Sequence, residues 1–196
     1  MDTKIPRARG RPRRFNPDEG VAIAQGLFHA RGYDGVSVAH ITEALGINPP
    51  SFYAAFGSKA ALYDRVLERY GSGHSLPLSS LLRRDRSVAH CVAAALEEAA
   101  RHYAADPAAP GCLVVEGTHC NDPDAREAAR ARHLAADAMI RSYIAERHPA
   151  EADRLTDFVS TTMFGLSAKA REGHTLEQLL ATARLAGSAI MATLPA

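Results

Sequence analysis

Apolar positions along this chain recur mostly at three- and four-residue spacing, the period of an amphipathic helix, and the two-residue alternation of a strand is nearly absent. Val21, Ala24, Leu27 and Phe28 form the first stripe. Asn16-Pro17-Asp18-Glu19 precedes it as a cap, a proline at the first helical position and an acid at the third, which resembles a capping box. Gly32 ends that helix. Val38, Ile41 and Leu45 mark the next, opened by Ser37 and closed by Gly46, where a left-handed residue costs little. Asn48 caps a third helix with Pro49 at its first position, and Ser58 caps a fourth carrying Leu62, Val66 and Leu67. Gly71-Ser72-Gly73 predicts a flexible break there.

Beyond the break, residues 76–86 show no clear period, and residues 87–103 are Ala-rich and helical. Asp106-Pro107-Ala108-Ala109-Pro110-Gly111 reads as a loop. Residues 112–119 are short and apolar, a strand or a buried helix on periodicity alone; between helical neighbours, helix is the better reading. Asp122-Pro123 opens a long helix to about His148, and Pro149 opens another bearing Leu155, Phe158, Val159, Thr162, Met163 and Leu166 up to Gly173. Thr175 caps the last helix, striped by Leu176, Leu179, Leu180, Ala183, Gly187 and Ile190. The last two helices carry more apolar face than one small domain needs, and Gly165 and Gly187 would let backbones approach closely. They predict a homodimer built as a four-helix bundle across a two-fold axis, the alternative being that they complete the monomer core.

A short Gly-containing turn between two short helices, residues 37–56, is the helix-turn-helix pattern, which places its second helix in the major groove of DNA. Charge strengthens that picture. The formal net charge is only +1, but residues 1–14 hold six basic side chains against one acid, +5, which leaves −4 on the rest. A basic, disordered arm on a mildly acidic body points to a polyanion partner for the arm, and Arg11, Arg13 and Arg14 suit a narrow minor groove. Ser37 caps the second helix and can also bond a phosphate there. His40, on the same helix, touches the DNA backbone or faces solvent. Asn48, Pro49, Pro50 and Ser51 lie at the first turn of the reading helix. The prolines lack amide donors and offer apolar contact such as a thymine methyl requires, so Ser51 is the better hydrogen-bonding reader.

Other chemistry is thinly represented. No apolar run approaches the length of a membrane span, and the basic start leads into no apolar region of the kind a secretory signal needs. A cytoplasmic protein is expected. Cys91, Cys112 and Cys120 are odd in number and have no Cys-x-x-Cys spacing, so a disulfide framework is not expected. Gly165-Leu166-Ser167-Ala168-Lys169 begins like a nucleophile elbow, but Lys169 replaces the closing glycine and no strand precedes it. With no phosphate loop and no paired-carboxylate site, no enzyme, no cofactor and no resident metal are expected.

The chain resembles the TetR/AcrR family of bacterial transcriptional regulators over about residues 13–70. The resemblance is carried by the stretch from Ala24 to Tyr33, by Gly35-Val36-Ser37-Val38, and by Ile41-Thr42-Glu43-Ala44-Leu45-Gly46-Ile47. It continues with Ser51-Phe52-Tyr53-Ala54-Ala55-Phe56 and Ser58-Lys59-Ala60-Ala61-Leu62-Tyr63. Residues 74–196 resemble the family in helix count and order, with a Gly-Cys-Leu-Val segment at 111–114 seen in some branches. The resemblance implies an all-α fold of about nine helices: an arm at 1–14, a three-helix DNA-binding domain at 15–62, and a ligand-binding and dimerisation domain at 63–196. It implies a homodimer through the last two helices that represses from an inverted-repeat double-stranded operator and is released by a small-molecule effector. Tyr53 and Lys59 match the family's phosphate-contacting tyrosine and lysine. The second position of the reading helix is often glycine or another small residue in the family, and Pro50 departs from that.

Helices that line the family's pocket place His102, Tyr103, Cys112, Val115 and His119 as candidate effector contacts, with Met139, Tyr143, Phe158 and Met163 further along. Cys120 and Phe164 stand near the same helices. An apolar or aromatic effector would suit them. Two rival triggers stay open: a reactive Cys112 thiolate that senses oxidants or electrophiles, and a metal held by His102, Cys112, His119 and Cys120.

Overall fold

The computed structural model describes residues 16–194, and among these the chain is ten α-helices without a strand, so the all-α expectation is borne out. Arg11, Arg13 and Arg14 lie outside the described residues. The helices are α1 (Pro17–Arg31), α2 (Val38–Leu45), α3 (Pro49–Phe56), α4 (Lys59–Gly73), α5 (Leu78–Leu81) and α6 (Val88–Ala104). They continue as α7 (Leu113–Gly117), α8 (Pro123–Ala145), α9 (Ala152–Arg171) and α10 (Leu176–Thr193). Two are short, four residues in α5 and five in α7, the latter resolving the 112–119 stretch as helix.

Local sequence sets most starts. Asn16, Ser37, Asn48, Ser58, Ser87, Asp122 and Thr175 each accept a backbone N–H with the side-chain oxygen, worth about 1 kcal/mol apiece. Thr175 and Gln178 close a full capping box. Three expectations need correcting. α4 does not break at Gly71-Ser72-Gly73 but runs to Gly73, because Tyr70, 1% exposed, anchors its last turn in the core. α8 stops at Ala145, and Pro149 lies in the connection between the two helices rather than opening α9, which starts at Ala152. Gly187 is a contact inside the monomer, since a Cβ there would lie 3.0 Å from that of Ala93 on α6, whereas Gly165 has open space above it.

Two apolar clusters organise the molecule. The head cluster joins Val21, Ala24, Phe28, Tyr33, Val36, Ile41, Phe52, Phe56 and the α4 face of Leu62, Tyr63, Val66, Leu67 and Tyr70. It also takes Leu113, Cys120, Ala125 and Ala129 from α7, the following loop and α8. The body cluster is built from α6, α8, α9 and α10 with Leu78, and Cys112 packs against both. Where α7 crosses α4 the approach is close. A Cβ on Gly117 would overlap the Tyr63 hydroxyl and lie 2.8 Å from the Ala129 methyl. Gly117→Ala should therefore lower unfolding stability by about 1–3 kcal/mol, measured by urea denaturation. A midpoint equal to wild type would show that this seam is loose.

Candidate nucleic-acid interface

The turn between α2 and α3 is made by Gly46 in the left-handed region (φ 64°), with the Ile47 amide returning to the Thr42 carbonyl at 3.1 Å. From it α3 projects with Phe52 and Phe56 buried and Asn48, Pro49, Pro50, Ser51 and Tyr53 exposed. Pro49 and Pro50 have no N–H, and the Ser51 amide donates to Asn48 Oδ1 at 2.9 Å. A helix N-terminus ordinarily offers free amides to an anion. Here the first three are absent or occupied, so what this end exposes is side chains, the Ser51 hydroxyl and the proline rings.

Ser37 and His40 close a reciprocal box at the start of α2: the His40 amide donates to Ser37 Oγ at 3.1 Å and the Ser37 amide to His40 Nδ1 at 3.2 Å. His40 thus has a capping role that its residue type did not announce. Lys59, the first residue of α4, is half-buried. Its ammonium sits 3.8 Å from the centroid of the Tyr33 ring and donates to the carbonyls of Tyr33 (3.0 Å) and Val36 (2.9 Å). Two of its three N–H groups are thereby occupied, leaving one for an outside oxygen. Desolvation pulls its pKa down, and the nearby Asp34 and Asp122 carboxylates oppose that.

Tyr33 ties this corner to the body. Its hydroxyl donates to Asp122 Oδ2 at 2.7 Å, while Asp122 Oδ1 accepts from the amides of Asp124 and Ala125 at the start of α8. The Tyr33 hydroxyl is the main reason the Asp122 carboxyl titrates below its usual range. Beside it Asp34 Oδ2 accepts from the amide and side chain of Asn121, at 2.9 and 3.0 Å. A second tie lies at the end of α1: Arg171 of α9 donates to the His29 carbonyl (3.2 Å) and pairs with Glu116 (3.3 Å). Neither tie was visible in the sequence, because each joins residues more than fifty positions apart.

Of the effector candidates, His102, Tyr103 and Cys112 come together at this head–body seam. The Tyr70 hydroxyl lies 3.5 Å from His102 Nε2 and 3.8 Å from Cys112 Sγ, and the His102 and Tyr103 rings are 6.0 Å apart. Val115 follows on α7 and His119 is exposed beside the ring of Phe164. The others are dispersed. Tyr143 donates to the Arg83 carbonyl at 2.6 Å, Met163 is body core, and Met139 is exposed on α8. Phe158 borders an outer groove of about 170 Å³ with Arg154, Leu155, Ala189, Ile190 and Thr193. Among the described residues no three His, Cys, Asp or Glu side chains gather as a metal site, and Cys120 is buried while His119 faces out. Ser167 is buried mid-helix in α9, its hydroxyl accepting the Cys112 amide at 2.9 Å. No described helix is long and apolar enough to cross a membrane.

Comparison with known proteins gives a consistent result. The profile described as "Bacterial regulatory proteins, tetR family" matches residues 22–66. The chain is 54% identical over 187 residues to the HTH-type transcriptional repressor BdcR of Escherichia coli (strain K12), covering 95% of each. It is 28% identical to the HTH-type transcriptional repressor ComR of the same strain, over 90% of this chain and 89% of that one. Among solved structures, a cysteine mutant of the TetR family transcriptional regulator CifR, complexed with 26bp double-strand operator DNA, matches at a TM-score of 0.81 and 34% identity, covering 91% of this chain and 99% of that one.

Burial pushes the Cys112 thiol above its ordinary pKa, so at neutral pH it is a thiol rather than a nucleophilic thiolate. Iodoacetamide at pH 7.5 should alkylate Cys112 at least about tenfold more slowly than it alkylates glutathione, followed by peptide mass spectrometry. Alkylation as fast as glutathione's would restore the thiolate trigger.

Proposed function

The chain belongs to the tetR family of bacterial regulatory proteins, and on that premise we propose that it is a homodimeric repressor that covers an inverted-repeat operator and leaves it when a small-molecule effector binds the body. The observation that carries this reading is the exposed first turn of α3 standing on the buried pair Phe52 and Phe56. Ser51 and the proline rings reach base edges, and Asn48 fixes the turn that presents them. Ser37, His40, Tyr53 and Lys59 hold phosphates and set the register, with Arg11, Arg13 and Arg14 in the minor groove. Tyr53, 53% exposed with an edge-to-face contact to Phe52, has its hydroxyl available for that purpose.

Dimerisation is supported by a face the monomer does not use. Phe158 and Gly165 are seven apart on one exposed stripe of α9, and Leu185, 74% exposed, shares with Ala189 a stripe of α10. Paired across a two-fold axis, these stripes make the four-helix bundle, and the two α3 helices fall about 34–36 Å apart or further. The effector, of apolar or aromatic character, acts where His102, Tyr103 and Cys112 meet Tyr70. It works by binding one head spacing better than the other, since only a differential affinity shifts the population. No catalytic role is assigned, because the one elbow-like serine, Ser167, is buried mid-helix with its hydroxyl accepting a backbone amide.

Selection from a random duplex library should enrich an inverted repeat; a folded dimer that enriches nothing two-fold would count against the reading. On that operator, Lys59→Ala should weaken binding for all sequences and flatten the salt dependence by about one charge. A changed base preference at one position would instead make Lys59 a base reader. Leu185→Glu should shift the sedimentation of the protein from dimer to monomer, whereas an unaltered dimer would place the interface elsewhere.

A further inference from the structure

We propose that Asp122, at the N-terminus of α8, is a positioning residue for DNA binding that sets the Lys59 ammonium through Tyr33. The inference rests on the reading of Lys59 as a phosphate contact. Asp122 divides its two oxygens between two jobs: Oδ1 caps α8 and Oδ2 accepts the Tyr33 hydroxyl at 2.7 Å. A shift of the first turn of α8 must therefore move Tyr33 or break that bond. Tyr33 cannot yield by swinging out. It is 2% exposed, with its ring stacked on Phe28 (5.7 Å) and edge-on to Tyr63 (4.9 Å).

The same ring is the floor beneath the Lys59 ammonium, and the Tyr33 carbonyl is one of its two acceptors. The other is the carbonyl of Val36, next to the Ser37 cap of α2. One cation thus closes the loop that leads into the reading motif, and its place is set from below by a ring that a body carboxylate holds. Asn121 grips Asp34 in parallel, so the α7–α8 loop meets the α1–α2 loop at two adjacent residues. A rearrangement in the body that displaces the start of α8 is passed to the phosphate contact without any change within α2 or α3.

The test uses the full-length protein and its selected operator, with Kd read by fluorescence anisotropy and folding checked by circular dichroism and Tm. Tyr33→Phe keeps the ring under Lys59 and removes the hydroxyl. Asp122→Asn keeps a capping oxygen and removes the carboxylate. Each should weaken operator binding about tenfold, the size of effect a lost charge-assisted hydrogen bond can transmit, and the double variant should be no weaker than either single. In a Lys59→Ala background, Asp122→Asn should have no further effect. Binding within about twofold of wild type, tighter binding, or a loss that persists without Lys59 would each overturn the proposal. A lower Tm with unchanged operator affinity would reduce the link to a structural one and overturn it too. Wild-type protein that selects no duplex would bring down the DNA reading itself and this link with it.

Discussion

Burying Tyr63 and Tyr70 on one face of α4 obliges the chain to find partners for two hydroxyl groups away from water, and those partners are what join the two apolar clusters. Tyr63 donates to the carbonyl of Leu113 at 3.3 Å, and Tyr70 reaches Cys112 and His102. Both hydroxyls are driven far up in pKa by desolvation, so they stay protonated donors at any pH the protein meets. An unpaired buried hydroxyl costs roughly 1–3 kcal/mol, which makes the position of α7 over α4 a requirement and not an accident of packing. Gly117 is the geometric price of that approach, since no side chain fits under the Tyr63 hydroxyl.

From this seam the rest of the arrangement follows. With α7 fixed, the loop after it delivers Asn121 and Asp122 to the α1–α2 loop, and the loop before it delivers Gly111 to His29. The reading head is therefore held to the body at the last turn of α1 and at the loop that follows it. The reading helix, by contrast, has no free amide donor on its first three residues, because two prolines and an asparagine cap occupy the first turn. Helix-dipole attraction for a phosphate is weak at such an end, so under the proposed function base discrimination rests on the Ser51 side chain and the proline rings, and phosphate contact on Ser37, His40, Tyr53 and Lys59.

Much of this was legible in the sequence where the physics is local. Asn16, Ser37, Asn48, Ser58 and Thr175 are caps because a side-chain oxygen reaches an amide two or three residues on, and such a reach depends on nothing distant. Gly71 and Gly73 misled for the opposite reason: a weak local preference was overridden by the burial of Tyr70. Pro149 is an ambiguous sign, since proline stands as readily after one helix as at the start of the next. The occupation of Lys59 by two carbonyls, and the pairing of Tyr33 with Asp122 across 89 residues, have no local signature at all. The scattered effector candidates show the same limit, because a shared apolar character does not tell a core position such as Met163 from an outward one such as Phe158.

The head's cluster is not one continuous piece of chain. It closes only with Leu113 from α7, Cys120 from the following loop, and Ala125 and Ala129 from the first turns of α8. A recombinant hybrid that grafts this DNA reader onto another body cannot be cut once within α4. It must carry two separated segments, or else match the recipient's own residues at those four positions. The portable unit is thus larger than the helix-turn-helix and interrupted in sequence.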